Sequence, residues 1–270
     1  MLRDADGWPP HGYRLQVLGG WHLVRDGEPL RVPQRSQRLI AYLAVAGPSP
    51  RVVLCGHLWP ASTEHRALDS LRVAIHHVGR DLPGLLSRHD TMLALAPAVA
   101  VDLDRERAEL TGTLEPDTAC GGGNNTAGGW FGREPDLLPG WYEDWVLEEQ
   151  DRLRAQRIRH HASTAQRLLD SGDLRAAIDA AGRARGLDPL DEWSLEVLVR
   201  AQVGVGAVCA ARRVLLAFRH DLHQEFGQFS SPVLDELDRL VTSAAADMPG
   251  TPSVESTHFT QATGPRLAWG

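Results

Sequence analysis

The chain has 270 residues and a formal net charge of −7 at pH 7, and hydrophobic residues make up 43% of it. This length allows one large or two ordinary globular domains, and the longest apolar run, residues 39–46, is too short to span a membrane. The three cysteines lie far apart and form no CxxC pair, and no signal peptide is readable at the start. We therefore expect a cytoplasmic protein with reduced thiols and no membrane partner.

Charge is distributed unevenly along the sequence. Residues 14–88 hold ten arginines against five acidic residues, a net charge of +5, so the remainder of the chain carries −12. A basic segment joined to an acidic one favours a polyanionic partner for the basic segment alone. Two ordinary domains of unequal charge are the alternative that composition leaves open.

The N-terminal elements are predicted from periodicity and turn residues. Short strands are expected within residues 14–32, with turns at Gly19-Gly20 and Asp26-Gly27. Three helices follow, over residues 34–46, over 52–58, and from a cap at Ser62 or Thr63 to about residue 82. Two strands, at 91–95 and 98–102, complete this part. The order of a small sheet, three helices and a hairpin is that of a winged helix-turn-helix.

The C-terminal half is predicted to be helical and repetitive. A long helix over residues 141–170 is followed by helices at 174–186, 192–203, 208–226 and 232–245. Gly172 and Gly206 lie 34 residues apart, and each is followed four residues later by a pair of alanines. This period, with glycine at the turn between two helices, is typical of tetratricopeptide-like hairpins, which form docking surfaces for other proteins.

The third predicted helix carries the candidate nucleic-acid contacts. Arg72, His76 and Arg80 are spaced by four residues and share a face that can lie along a major groove. Arginine is suited to bidentate contact with guanine and to contact with phosphate. A solvated helix face is the alternative interpretation. The predicted DNA-binding residues are Arg35, Arg38, Arg51, Asp69, Arg72, Val73, His76, His77, Arg80 and Arg88.

Sites of other kinds have little support in the sequence. His220 and His223 are three residues apart, but no further ligands recur at the spacing of a metal site. No glycine-rich loop carries a lysine, and no serine lies in a nucleophile elbow. We predict no catalytic residue, no metal and no cofactor, and therefore no enzyme.

Several motifs occur together in a fixed order. They are Gln37-Arg38-Leu39-Ile40-Ala41-Tyr42-Leu43, Leu58-Trp59-Pro60, Ser70-Leu71-Arg72-Val73, Val101-Asp102-Leu103-Asp104, Leu137-Leu138-Pro139-Gly140-Trp141-Tyr142-Glu143-Asp144-Trp145-Val146 and Leu187-Asp188-Pro189-Leu190. With them the chain resembles the SARP-type bacterial transcriptional activators. In that family an OmpR-like winged helix precedes a bacterial transcriptional activation domain of tetratricopeptide-like helices.

The resemblance implies a mainly α fold with an α+β N-terminal part. It places the winged helix at residues 14–104, a flexible linker at 105–135, the tetratricopeptide-like activation domain at 136–245 and a disordered tail at 246–270. It also implies a recognition helix at 64–82, a wing at 91–101, and protomers side by side on promoter direct repeats. The segment Trp59–Glu64 would contact RNA polymerase, and the targets would be secondary-metabolite gene clusters.

The recognition helix departs from the family pattern. The family usually has more arginines there and an asparagine before the serine, whereas this chain has Leu68, Asp69, His77 and Gly79. The alternative is therefore a tetratricopeptide-like interaction module whose winged helix has lost autonomous DNA binding.

Overall fold

The structure, a computed structural model, describes residues 12–112, 134–227 and 231–246. The chain divides into two compact units, Met1–Ser163 and Thr164–Gly270. The predicted fold class is confirmed, because the described part is mainly helical with a small α+β portion at its N-terminal end. Most of the predicted linker and nearly all of the predicted tail lie outside the described residues. Within the described ranges, no helix is long and apolar enough to cross a membrane.

The first unit contains two small sheets and four complete helices among its described residues. Its elements are β1 (Tyr13–Gln16), β2 (His22–Arg25), β3 (Glu28–Pro29), α1 (Gln34–Ala46), β4 (Ser49–Pro50), α2 (Arg51–Leu58), α3 (Glu64–Asp81), β5 (Leu86–His89), β6 (Met92–Leu95), β7 (Ala100–Val101), α4 (Asp102–Leu110) and the start of α5 (Asp144–Asp170). The strand orders are β3-β2-β1-β7 and β4-β6-β5. In the first sheet β1 runs antiparallel to β2 and parallel to β7.

The first helix, α1, follows its apolar pattern closely. Leu39, Ile40 and Leu43 are buried in the core of the unit, as their shared helix face requires. The helix ends at Gly47, which has φ 75° and donates its N–H to the carbonyl of Leu43 at 3.1 Å. Glycine is suited to this left-handed conformation because it has no Cβ atom. The predicted bounds of α1 are confirmed.

The hairpin predicted at residues 91–101 was wrong in position. β5 and β6 pair antiparallel, with His89 opposite Met92, and the turn between them contains Asp90 at φ 51°. The segment assigned to the second strand instead forms β7, which pairs with β1 in the other sheet. The prediction failed because β5 reads Leu-Ser-Arg-His and has only one apolar residue, too few to mark a strand. Its turn also uses aspartate in place of glycine.

Helix α4 was not predicted, and it begins where the sequence places the end of the winged helix. Leu103 anchors it in the core of the first unit. The carboxylate of Asp102, its first residue, accepts the N–H groups of Val17 at 2.9 Å, Leu18 at 3.0 Å and Leu103 at 2.8 Å. These bonds join the first turn of α4 to the end of β1. The predicted domain boundaries remain a proposal.

The pKa of Asp102 has a consequence for stability that can be measured. Burial raises the pKa from 3.8 to about 6, although the backbone hydrogen bonds from Val17 and Leu18 lower it. Because the pKa is higher in the folded than in the unfolded state, protonation of Asp102 adds to the free energy of unfolding. This contribution is complete below about pH 4 and is lost as the pH rises through about 6. The loss is roughly 2–3 kcal/mol. We expect Asp102→Asn to remove this fall in unfolding free energy in denaturant titrations.

The matched control is Asp179→Asn in the second unit, because Asp179 is exposed. This control variant should keep the wild-type dependence on pH. If the unfolding free energy of wild type and of Asp102→Asn changed equally with pH between about pH 4 and pH 6, Asp102 would titrate at its ordinary pKa.

Residues 134–146 complete the core of the first unit. Leu137 and Leu138 are buried, and the N–H of Leu138 donates to the carbonyl of Val17 at 2.7 Å. Further along, the rings of Trp145 and Tyr42 have centroids 5.1 Å apart and meet edge to face. The Leu-Pro-Gly-Trp-Tyr motif thus packs against β1 and α1, the elements of the winged helix.

A charged cluster is enclosed between α4 and α5. Arg157 on α5 has a side chain only 4% exposed, and its Nη2 donates to Oε2 of Glu106 at 3.0 Å and to the carbonyl of Pro135 at 2.9 Å. Its Nε lies 3.2 Å from Oε2 of Glu134, which also contacts His161. One guanidinium therefore links α4, α5 and the segment that precedes the Leu-Pro-Gly-Trp-Tyr motif.

The second unit consists of helical hairpins with the predicted repeat. It contains the end of α5, then α6 (Leu174–Leu187), α7 (Glu192–Gly204), α8 (Val208–Phe226) and α9 (Pro232–Ala246). These bounds agree with the predicted helices to within one residue. Buried Phe218 and Leu215 of α8 pack with Leu195 of α7 and Leu237 of α9 in one apolar core.

The two turns of the repeat have the same hydrogen bonds. Gly172, at φ 83°, donates to the carbonyl of Leu169 at 3.1 Å, and Gly206, at φ 79°, donates to Val203 at 2.9 Å. In each turn the following residue donates to the carbonyl five positions earlier. This is the Schellman arrangement that ends a helix at a glycine. The residues that define the 34-residue period in the sequence therefore have the same conformation in both hairpins.

Candidate nucleic-acid interface

Helices α2 and α3 form the helix-turn-helix of the first unit. Helix α2 ends where the backbone N–H of Trp59 donates to the carbonyl of Cys55 at 3.0 Å. The backbone N–H of Ser62 then donates to the carbonyl of Trp59 at 3.0 Å. Thr63 is the N-cap residue of α3, and Glu64 gives its first turn a negative charge. That charge is favourable at the positive end of the helix dipole.

Helix α3 has one buried and one exposed face. The buried residues are Ala67, Leu71, Ala74, Ile75 and Val78. Of the residues predicted to face DNA, Asp69, Arg72, Val73, His76 and Arg80 are exposed, and His77 is half-buried. The structure therefore brings these six residues of the predicted set to the accessible side of one helix.

The two arginines predicted for the groove each lie beside a carboxylate. Nη1 of Arg72 donates to Oδ1 of Asp69 at 2.8 Å, and Nε of Arg80 donates to Oδ1 of Asp81 at 2.6 Å. The hydrogen bond from Arg80 lowers the pKa of Asp81. Because these pairs are exposed, they contribute little to folding stability. Both guanidinium groups remain accessible to a polyanion.

Three further predicted contacts lie at the surface of the same unit. Arg35 is in the first turn of α1, Arg51 begins α2, and Arg88 lies on β5. All three side chains are exposed. A Cβ atom at Gly79 would lie 3.9 Å from Nη2 of Arg88. The side chain of Arg88 therefore reaches from the hairpin to the last turns of α3, where the wing of a winged helix is expected.

Arg38 has an intramolecular partner that the sequence did not indicate. Its Nε lies 2.8 Å from Oε1 of Glu143, so this arginine joins α1 to the segment that precedes α5. The pair connects residues more than 100 positions apart, and no local pattern predicts such a contact.

Two further residues of α3 are exposed at its start, although the predicted set does not include them. His65 and Arg66 are exposed in its first turns, and Nδ1 of His65 lies 3.2 Å from Oδ2 of Asp69. Their spacing of three and four residues from Asp69 was the signal that could have found them, because such residues are neighbours on a helix surface.

An open apolar groove lies beside the turn between α2 and α3. It has a volume of about 350 Å³. Its lining residues are Val52, Cys55, Gly56, Trp59, Pro60, Ser62, Glu64, Ala67 and Leu68. The groove includes most of the segment predicted to contact RNA polymerase.

Comparison with known families decides the class of this protein. Residues 98–241, more than half of the chain, match the family described as "Bacterial transcriptional activator domain". The chain belongs to this family. The predicted class, a SARP-type transcriptional activator, is thereby confirmed. The family is one of transcriptional regulators and not of enzymes.

A solved structure with a similar fold accompanies this family match. The structure is described as "Mycobacterium tuberculosis EmbR in complex with low affinity phosphopeptide", and it superposes with a TM-score of 0.62 at 17% sequence identity. The match covers 87% of this chain and 69% of the EmbR chain. At this identity the likeness shows a common fold. The comparison with curated protein sequences gave no match for this activator.

Proposed function

We propose that this activator binds promoter DNA through the exposed face of α3, with Arg72, His76 and Arg80 in the major groove. The observation that carries the proposal is the position of these three side chains opposite the buried face of a helix-turn-helix. Val73, 42% exposed on the same face, can contact the methyl group of a thymine. The β5–β6 hairpin acts as the wing, and Arg35, Arg51 and Arg88 bind phosphates.

The proposal extends to the partners that the resemblance to SARP-type activators implies. Protomers occupy promoter direct repeats side by side as a homo-oligomer on DNA, and the turn Trp59–Glu64 with its apolar groove contacts RNA polymerase. The activated genes are secondary-metabolite clusters. Membership of an activator family supports a partner in the transcription machinery. Chromatin immunoprecipitation in the host would identify the promoters.

The proposal is tested by fluorescence anisotropy on a duplex from the upstream region of the gene, at several salt concentrations. We expect the double variant Arg72→Ala, Arg80→Ala to bind at least about tenfold more weakly. Its slope of log affinity against log salt should also be shallower, because two positive charges are removed from the interface and binding then releases fewer counterions.

The matched control is Arg212→Ala, Arg213→Ala on α8, where both side chains are exposed. It removes the same charge from the second unit and should leave affinity and slope nearly unchanged. If the α3 variant bound as tightly as wild type, α3 would not be the helix that contacts DNA.

The carboxylates beside Arg72 and Arg80 favour one alternative function. If Asp69 and Asp81 neutralise the α3 arginines completely, the chain acts as an interaction module without autonomous DNA binding. This alternative predicts no salt-dependent affinity of the wild-type chain for any duplex, together with a stable protein complex in pull-downs.

A further inference from the structure

An aspartate lies near the centre of the exposed face of α3. Asp69 is exposed, and it contacts both His65, one turn earlier, and Arg72, one turn later. Residues four and seven positions after Asp69 are Val73 and His76, which share its face. Asp69 therefore lies among the side chains proposed to enter the major groove.

A carboxylate in this position opposes binding to the DNA backbone. Phosphates repel it, so it lowers the affinity of α3 for DNA of any sequence. It also makes little contribution to folding, because an exposed pair with Arg72 has little stabilising effect. Any role of Asp69 in binding therefore concerns the choice of sequence rather than affinity or stability.

The hydrogen bond between Asp69 and Arg72 is the contact through which Asp69 can affect the choice of sequence. Nη1 of Arg72 donates to Oδ1 of Asp69 at 2.8 Å, which limits the rotation of a side chain that would otherwise sample many rotamers. The planar guanidinium keeps further N–H donors for a second partner. Guanine offers O6 and N7 in the major groove as a pair of acceptors that matches such a fork.

We propose that Asp69 is a specificity-determining residue of α3, because it positions the guanidinium of Arg72 for bidentate contact with a guanine of the binding site. The inference rests on the proposed function of α3. Asp69 acts through Arg72 and disfavours sites without that guanine, where its own charge faces DNA and Arg72 finds no base partner. Loss of a bidentate contact lowers affinity about tenfold to hundredfold.

The test measures discrimination between sequences. Binding sites are selected from a random duplex pool with the full wild-type chain, and each guanine common to the selected sites is then replaced by 7-deazaguanine, which lacks N7. Asp69→Ala should bind unrelated duplexes about two- to fivefold more tightly than wild type, since one negative charge is removed. At one guanine, the ratio of the affinities for the guanine duplex and the 7-deazaguanine duplex should be about tenfold smaller for Asp69→Ala than for wild type. Arg72→Ala should lose that same preference.

Asp81→Ala is the matched control, because Asp81 pairs with Arg80 on the same helix and is similarly exposed. This variant should bind all duplexes more tightly and keep the preference for the guanine that Arg72→Ala no longer distinguishes, because the partner of Asp81 is Arg80. An unchanged preference in Asp69→Ala, or equal behaviour of the two aspartate variants, would overturn the inference while the proposed function stands. If the wild-type chain bound no duplex, the proposed function and the inference would both be wrong.

Discussion

Replacement of Arg157 by alanine should destabilise the first unit by about 3–5 kcal/mol. Its guanidinium is almost fully buried and contacts Glu106, Glu134 and the carbonyl of Pro135. Without the arginine, the partly buried carboxylates of Glu106 and Glu134 would lose the cation that they share, and removal of one partner is the costly way to break such an ion pair. Urea unfolding at neutral pH measures the change in free energy.

Arg159→Ala is the control for this substitution, since Arg159 is exposed on the same helix and its loss should change the unfolding free energy by less than about 0.5 kcal/mol. The triple variant Arg157→Met, Glu106→Gln, Glu134→Gln should recover most of the lost stability, because it removes the buried charges together. A loss below about 1 kcal/mol for Arg157→Ala would show that water solvates the cluster.

Replacement of Phe218 by alanine should destabilise the second unit by about 3–5 kcal/mol. Phe218 is the largest fully buried side chain of the described residues and is 1% exposed. Its ring lies 5.4 Å from the guanidinium carbon of Arg185, whose pKa is lowered by burial. The substitution would leave a cavity between α7, α8 and α9 and would remove a cation–π contact.

The matched control is Leu216→Ala, two residues earlier on α8, where the side chain is 55% exposed. This variant should lose less than about 1 kcal/mol. Thermal unfolding followed by circular dichroism would compare the two variants. Equal melting temperatures would contradict the assignment of Phe218 to the centre of this core.

The helices of the second unit were predictable because their signals are local. Gly172 and Gly206 end helices with left-handed residues, and the apolar periodicity between them leaves no alternative strand pattern. The bounds of α8 were predicted without error. Where a helix stop depends on one glycine and its own neighbours, the sequence is sufficient.

The errors in the first unit have a different cause. Strand β5 is defined by its pairing with β6, and its own residues are mostly polar. Helix α4 is short and charged, and its position depends on the hydrogen bonds of Asp102 with the end of β1. The partner of Arg38 is Glu143, far along the chain. Such features depend on which distant segments meet, and periodicity carries no information about that.

The candidate site was predictable in part. The face of α3 with Arg72, His76 and Arg80 follows from helical spacing alone, and the structure places these side chains together at the surface. The carboxylate neighbours were not foreseen as partners, although Asp69 was included in the predicted set. Side-chain rotamers decide which of several neighbours forms a pair, and a sequence pattern does not fix rotamers.

The packing of residues 134–146 against β1 and α1 determines how this activator can be divided in the laboratory. A fragment that ended at residue 104 would uncover the ring of Tyr42, which otherwise meets Trp145, and would lose Leu137 and Leu138 from its core. Such a fragment would expose an apolar surface and aggregate. Chimaeras that exchange the first unit between activators of this kind therefore need a junction beyond Ser163, where that unit ends within α5, rather than one at residue 104.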